Sequence, residues 1–267
     1  MCNFSNKSLR RFQQEGEILF KLQHPCIIEF IGRTIGDAEH PPSIYLTLEP
    51  QSLETLIENP EVEEVRKNMI AVEIVLGMRF IHSLNFMHRD LKPSNIMITK
   101  DLHARISDFG LAKENIDTLN TNDAGTLLFM APEFFEEKNQ NEEEDDEEGK
   151  IFYTNKIDVY SFGITLIYII AKKYSKFILN NVVNGIPPKL PNKITKWAKE
   201  LILKCLSKRA ENRPSFDEIL EIMKNNNYDL FNDKNDTKLT KKQQHSKELI
   251  ESRIFEIEAF EYQHRDD

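Results

Sequence analysis

Hydrophobic residues recur at helical spacing in several segments of this chain. Between Leu9 and Leu22 they fall on one face with polar residues between them, which predicts an amphipathic helix that His24-Pro25 ends. The segment Val65–Leu84 predicts a longer helix with an apolar stripe. Phe162–Ala171 is apolar on nearly every side, which predicts a central helix that is buried all round. Two further helices are predicted at Lys193–Leu206 and Ser215–Asn225.

Two runs rich in Ile, Phe and Tyr predict β-strands at Cys26–Gly32 and Ser43–Leu48, with a His-Pro-Pro turn between them. Two shorter strands are predicted at Ile96–Ile98 and Ala104–Ile106, on either side of a short turn. The order of elements is therefore one helix, two strands and then a mainly helical body. This order predicts an α+β fold.

The composition favours a folded chain without a nucleic-acid surface. Apolar residues make up 40% of the 267 residues, enough for a sizeable core. The formal net charge is −9, but seven of the acidic residues form one run, Glu142–Glu148, and the remainder carries only −2. We therefore expect neither a nucleic acid nor an anionic membrane as a partner. The acidic run predicts a solvated loop insertion over 136–150, with attraction of basic substrates as the alternative.

The cysteines and the apolar runs bear on the compartment. Cys2, Cys26 and Cys205 are too few and too far apart for a disulfide framework or a zinc site, and they suit a reducing compartment. The first fifteen residues are polar and charged, unlike a signal peptide. The ten residues of Phe162–Ala171 are too few to cross a bilayer. We expect a cytoplasmic protein.

From about Asn226 the chain is polar, and it then predicts a terminal helix. Thr240 and Gln243 have the spacing of a capping box. Four apolar residues come next on one helical face: Ile250, Ile254, Ile257 and Phe260. We expect this face to pack on the body of the chain, with a partner protein as the alternative.

Three short motifs carry the chemistry. They are His-Arg-Asp-Leu-Lys-Pro-Ser-Asn at 88–95, Asp108-Phe109-Gly110, and Ala131-Pro132-Glu133. In this order and spacing they resemble the catalytic loop, the metal-binding loop and the end of the activation segment of the protein kinase family. The resemblance covers the chain from about Phe12 to Lys224, and it implies the two-lobe kinase fold.

The resemblance also implies a role for each residue. Phosphoryl transfer requires an oriented hydroxyl and neutralised phosphate charge. Asp90 would orient the substrate hydroxyl and accept its proton, and Lys92 would stabilise charge on the transferred group. Asn95 and Asp108 would hold Mg²⁺ on the phosphates of ATP, because both offer hard oxygen ligands.

The substrate class follows from the same resemblance. The string Lys92-Pro93-Ser94-Asn95 is similar to that of serine/threonine kinases, and Gly125-Thr126 agrees with it. The helix around Glu15 and the string at 158–163 are most similar to the tyrosine-kinase-like branch of these enzymes. The implied function is transfer of the ATP γ-phosphate to Ser and Thr hydroxyls of protein substrates.

By the same resemblance, Arg89 directly before Asp90 implies a kinase that phosphorylation of the activation segment can switch on, and an upstream kinase is the expected partner. Thr118 and Thr121 are the candidate acceptors in the activation segment. Both are also ordinary residues of a polar loop, and that interpretation stays open.

Several further residues match the family. Asp158 would anchor the catalytic loop, and Arg213 would pair with Glu133. A hydrophobic stack typical of the family would consist of Leu19, Phe30, His88 and Phe109.

The start of the chain departs from the family pattern. No glycine-rich strand pair and no Val-Ala-x-Lys strand precede Glu15, which resembles the helix glutamate that pairs with such a lysine. Glu15 is either that residue or a solvated helix glutamate. The hinge is short: Glu49 and Gln51 would contact the adenine, and Met97 would lie beneath it.

Three explanations fit these departures. The first is an N-terminally truncated kinase; the second is a pseudokinase scaffold that binds partners without catalysis; the third is a fragment that does not fold stably. We expect a residual small lobe at 1–51, a large lobe at 52–225 and a tail at 226–267. The complete catalytic motifs favour the kinase over the scaffold.

Overall fold

The computed structural model describes residues 6–36, 40–110, 127–136, 154–172, 190, 192, 194–232 and 239–264. The acidic run Glu142–Glu148 lies outside these residues, as do Thr118, Thr121 and Gly125-Thr126. The expectations for these segments stay predictions.

The first element of the described residues is α1, Asn6–Lys21, as the apolar periodicity predicts. The apolar side of its second half is buried, with Ile18 and Leu19 in the core together with Leu22 just after the helix. Strands β1, Phe30–Thr34, and β2, Ser43–Leu46, form a two-stranded antiparallel sheet.

The predicted strand Cys26–Gly32 was wrong in its first half. Cys26 and Ile28 bond instead to Ile106: the Ile28 N–H donates to the Ile106 carbonyl, and the Ile106 N–H donates to the Cys26 carbonyl, each at 2.8 Å. Both residues are buried, so they satisfy their backbone groups on the neighbouring strand rather than at the exposed hairpin. Strand β1 therefore starts only at Phe30.

A second sheet has three strands in the order β3–β4–β5. They are β3, Gln51–Ser52; β4, Ile96–Ile98; and β5, Ala104–Ile106. The two predicted short strands are confirmed with their bounds. Because Ile106 belongs to β5, this sheet also ties the loop after α1 to the rest of the molecule.

Helices dominate the described residues after residue 52. They are α2, Leu53–Glu58; α3, Glu64–Ser83; α4, Glu133–Glu136; α5, Lys156–Ala171; α6, Lys196–Cys205; α7, Phe216–Asn225; and α8, Lys241–Gln263. Helix α5 is buried at every position from Ile157 to Ile169, as its apolar composition predicts. Helix α3 packs against α5, α7 and β5.

The terminal helix α8 begins with the predicted capping box, in which Thr240 and Gln243 each bond the other's backbone N–H. Ile250 and Ile257 on its apolar face have no exposed surface, and Ile254 is partly buried against the same core. The prediction that this face packs on the chain's own body is confirmed.

The architecture is thus an α+β fold with a small strand-containing part at the start and a mainly helical part after it. We call residues up to 51 the small lobe and residues 52–225 the large lobe; these bounds stay predictions. Among the helices of the described ranges, none is both long enough and apolar enough to cross a membrane.

Candidate active site

Asp158, in the first turn of α5, holds the loop that carries the first motif. Its Oδ1 accepts from the Arg89 N–H at 2.8 Å, and its Oδ2 accepts from the His88 N–H at 2.9 Å. His82 Nε2 lies 2.9 Å from the same Oδ2. Burial alone would raise the pKa of Asp158, but the hydrogen bond from His82, the electrostatic effect of His82 and His88, and the Arg89 N–H outweigh burial and lower it. A buried carboxylate therefore fixes the backbone of the loop.

His88 links the first motif to the second. Its Nδ1 accepts from the Asp90 N–H at 3.3 Å, which leaves Nε2 to donate to the Ser107 carbonyl at 2.9 Å. The ring also lies 5.0 Å from the ring of Phe109, which is buried. Two parts of the predicted hydrophobic stack are therefore in contact.

The two carboxylate oxygens of Asp90 differ in their surroundings. Oδ2 lies 2.8 Å from Lys92 Nζ and accepts from Asn95 Nδ2 at 2.9 Å. The same Asn95 amide also donates to the Asp90 carbonyl at 2.9 Å, so it fixes the residue at two points. Oδ1 is buried and has no hydrogen-bond partner among the residues that the structure describes. A buried acceptor in this situation costs free energy unless a ligand or substrate supplies a donor.

Asn95 and Asp108 are brought together by Ser107. Asn95 ends a 3₁₀ turn, Pro93–Asn95, and its carbonyl accepts from the Ser107 N–H at 2.8 Å and from Ser107 Oγ at 2.9 Å. Asp108 comes directly after Ser107, in the left-handed region with φ +65°, and its side chain is exposed. For a residue other than glycine this backbone conformation is uncommon, and it is typical of functional sites.

The amide oxygen of Asn95 accepts a long contact of 3.5 Å from Ser94 Oγ. Together with the carboxylate of Asp108 it offers the hard oxygen ligands that Mg²⁺ prefers. The donor set present here fits the predicted metal.

Glu15 lies beside Asp108. A Cβ atom placed on Gly110 would be 3.4 Å from Asp108 Oδ1 and 3.8 Å from Glu15 Oε2, so both carboxylates lie against this glycine. Burial raises the pKa of Glu15, and the charge of Asp108 raises it further. The side chain of Glu15 is half-buried beside Asp108, and its role at the nucleotide site stays a prediction.

The predicted hinge residues lie along the second sheet. Gln51 in β3 pairs with Ile98, and Met97 in β4 is partly buried against the core. The carboxylate of Glu49 accepts from Arg105 Nη1 at 2.9 Å and is nearly buried. A nucleotide contact at Glu49 would therefore come from its backbone.

The predicted pair of Glu133 and Arg213 is present. Arg213 Nη1 and Nη2 each donate to one oxygen of Glu133 at 2.7 Å, and the guanidinium is completely buried. It also stacks on Tyr160 at 5.1 Å. This pair joins the third motif to the segment before α7.

Sequence reasoning missed His82 and Ser107, which orient Asp158 and Asn95. Neither belongs to a recognisable string, because a single histidine at the end of a helix and a serine after a strand are common. Only the fold shows their partners.

Known proteins are similar to this chain over most of its length. The model of the protein kinase domain matches residues 3–223. The chain belongs to the protein kinase family. It is 32% identical over 233 residues to the dual specificity protein kinase shkA of Dictyostelium discoideum, a match that covers 80% of this chain and 41% of that kinase.

Two other relatives carry serine/threonine names. The RGS domain-containing serine/threonine-protein kinase A of Dictyostelium discoideum is 37% identical over 156 residues, a match that covers 56% of this chain and 13% of that kinase. The probable serine/threonine-protein kinase SIS8 of Arabidopsis thaliana is 31% identical over 238 residues, a match that covers 83% of this chain and 22% of that kinase. The chain thus spans less than half the length of each of these three kinases.

Proposed function

We propose that this kinase-family chain transfers the γ-phosphate of ATP to Ser and Thr hydroxyls of proteins. The observation that carries the proposal is that the two carboxylate oxygens of Asp90 have different surroundings. One oxygen is fixed by Lys92 and Asn95, and the other is buried without a partner in the described part of the chain. A general base needs such an unpartnered oxygen to accept a hydrogen bond, and then the proton, from a substrate hydroxyl.

In the proposed reaction the substrate hydroxyl donates to Asp90 Oδ1. Its oxygen forms a bond to the γ-phosphorus as the bond to the bridging oxygen of ADP breaks, and its proton passes to Asp90. Lys92, whose Nζ lies 2.8 Å from the other carboxylate oxygen, would offset negative charge on the transferred phosphoryl group. Asn95 and Asp108 would hold Mg²⁺, which when bound neutralises charge on the phosphates of ATP.

Glu49, Gln51 and Met97 are the proposed contacts of the adenine. All three adjoin the β3–β4–β5 sheet, whose strand β4 comes directly after the catalytic loop. Glu15 is proposed to influence the nucleotide site through Asp108, its neighbour at Gly110.

Tyrosine is the second candidate acceptor. The string Lys92-Pro93-Ser94-Asn95 favours Ser and Thr, whereas the relative shkA is named a dual specificity kinase. Activation by an upstream kinase at Thr118 or Thr121 and a cytoplasmic location complete the proposal.

The test is a phosphate-transfer assay with the full chain, Mg²⁺ and labelled ATP. Three peptide sets that differ only in a Ser, Thr or Tyr acceptor report the specificity. Asp90→Asn should lower the rate at least about 100-fold, since loss of a general base costs this much or more. Asp101→Asn, in the exposed turn between β4 and β5, is the matched control and should leave the rate unchanged.

Absence of transfer by the wild-type chain, or equal rates for the two variants, would overturn the proposed activity. A rise in melting temperature with Mg²⁺ and ATP but without any transfer would support the pseudokinase scaffold instead.

A further inference from the structure

Helix α8 lies outside the residues that match the kinase domain, yet it is part of the packed molecule. The family match ends at residue 223, and α8 spans Lys241–Gln263. Its residues Ile250 and Ile257 have no exposed surface. Such burial indicates a helix that belongs to the fold rather than a solvated tail.

The first polar attachment of α8 is to the large lobe. Glu73 on α3 is fully buried, and its carboxylate accepts from the Ala104 N–H at 2.8 Å and faces His103 Nδ1 at 2.6 Å. Arg253 on α8 donates from Nε to the same carboxylate at 2.9 Å. Helix α8 therefore supplies a cation to a buried anion that also holds β5.

The second attachment reaches the small lobe. Arg79 Nη2 on α3 donates to both carboxylate oxygens of Glu261, at 2.9 and 3.2 Å. His24 Nε2, in the loop after α1, lies 3.1 Å from Glu261 Oε1. One carboxylate on α8 thus bridges a helix of the large lobe and the loop after α1.

The hydrogen bonds of His24 define its role in this bridge. Its Nδ1 accepts from the Cys26 N–H at 3.0 Å, so in the neutral ring Nε2 carries the proton and donates to Glu261. The ring also stacks on Phe80 of α3 at 4.8 Å. His24 therefore contacts its own loop, α3 and α8 at once, three residues after the last residue of α1.

We propose that α8 is a built-in clamp that couples the large lobe to the end of α1. In this arrangement Glu261 is a positioning residue, which acts through His24 on α1 and thereby on Glu15 beside Asp108. When this clamp is removed, α1 unfolds locally more often while the core of the large lobe stays folded.

Hydrogen exchange of the full-length chain, read by mass spectrometry, tests the clamp without relying on phosphate transfer. The two informative regions are peptides covering 12–21 in α1 and peptides covering 157–169 in α5. Glu261→Ala should speed exchange of the α1 amides roughly tenfold, which corresponds to about 1.4 kcal/mol, and should leave α5 unchanged. His24→Phe keeps a ring over Phe80 and should act in the same way.

The effects of the two substitutions should be less than additive, because the contact between His24 and Glu261 is lost in both. Glu248→Gln, on an exposed part of α8 where the carboxylate accepts from Gln244, is the matched control and should leave α1 as in the wild type. Glu261→Gln is the conservative second variant, which keeps an acceptor for His24 and should give an intermediate acceleration. Unchanged α1 exchange in the Glu261 variants, equal acceleration in α1 and α5, or additive effects would each overturn the proposal.

Discussion

Arg253 Nε lies 2.9 Å from Oε1 of Glu73, a carboxylate with no exposed surface, across 180 residues of sequence. Arg253→Met should therefore destabilise the chain by about 3 kcal/mol, because it leaves a buried charge with one partner fewer. Urea unfolding of the full chain measures the change.

Lys247→Met on the same helix is the matched control for Arg253→Met. Lys247 forms a surface pair with Glu251 at 3.6 Å, and its loss should cost under about 1 kcal/mol. If the two methionine variants unfold at the same urea concentration, the ion pair of Arg253 does not carry the stability that its burial indicates.

Asp158→Asn should destabilise the chain by roughly 3 kcal/mol and reduce phosphate transfer. The amide has one acceptor oxygen in place of two, so the N–H groups of His88 and Arg89 cannot both keep their partners. Thermal unfolding beside the transfer assay checks both effects. Asp101→Asn makes the same change of side chain at an exposed turn and is the control. A similar loss of stability and transfer rate in this variant would show that the effect is not due to the catalytic loop.

Stability should fall as the pH drops below about 6.5, and His24 should account for part of that fall. Burial lowers the pKa of His24 from its ordinary value of 6.5, against the opposing effect of Glu261. The unfolded chain therefore binds a proton first, and the contribution of His24 is complete above pH 6.5 and is lost as the pH falls through the folded pKa. One such group changes the free energy of unfolding by at most about 1.4 kcal/mol per pH unit.

The measurement is the free energy of unfolding at about pH 7.5 and about pH 5.5, on either side of the ordinary histidine pKa, for the wild type and His24→Phe. The variant should lose less stability over this interval than the wild type does. The same substitution at His245, on the exposed side of α8, is the matched control. This variant should lose as much free energy of unfolding between the two pH values as the wild type does. An identical loss in all three chains would contradict the assignment to His24.

Gly77→Ala should destabilise the chain by about 2 kcal/mol. An added Cβ would lie 2.8 Å from Ile106 Cδ1 and 3.1 Å from the Cys26 carbonyl, at the junction between α3 and β5. Gly32→Ala is the matched control, since no atom of the described residues lies within 4 Å of its Cβ position, and it should be neutral or slightly stabilising. Equal melting temperatures for both variants would refute close packing at Gly77.

Much of the fold could be predicted because its signals are local. The apolar composition of 162–171 predicts a buried helix, and the structure buries α5. The pattern of Thr240 and Gln243 predicts the cap of α8. The start of β1 could not be predicted, because the residues from Cys26 to Ile28 have strand composition but bond to β5, which is distant in sequence.

By itself, the sequence determined the family and the candidate residues, because a string such as that at 88–95 places its functional groups at fixed spacing in one loop. Only the tertiary structure decided that Glu15 lies beside Asp108, and that α8 holds Glu73 and His24 through Arg253 and Glu261. The physical reason is that single charged residues carry no periodic signal. Whether such a residue is solvated or paired depends on which buried charge the fold brings within hydrogen-bonding distance.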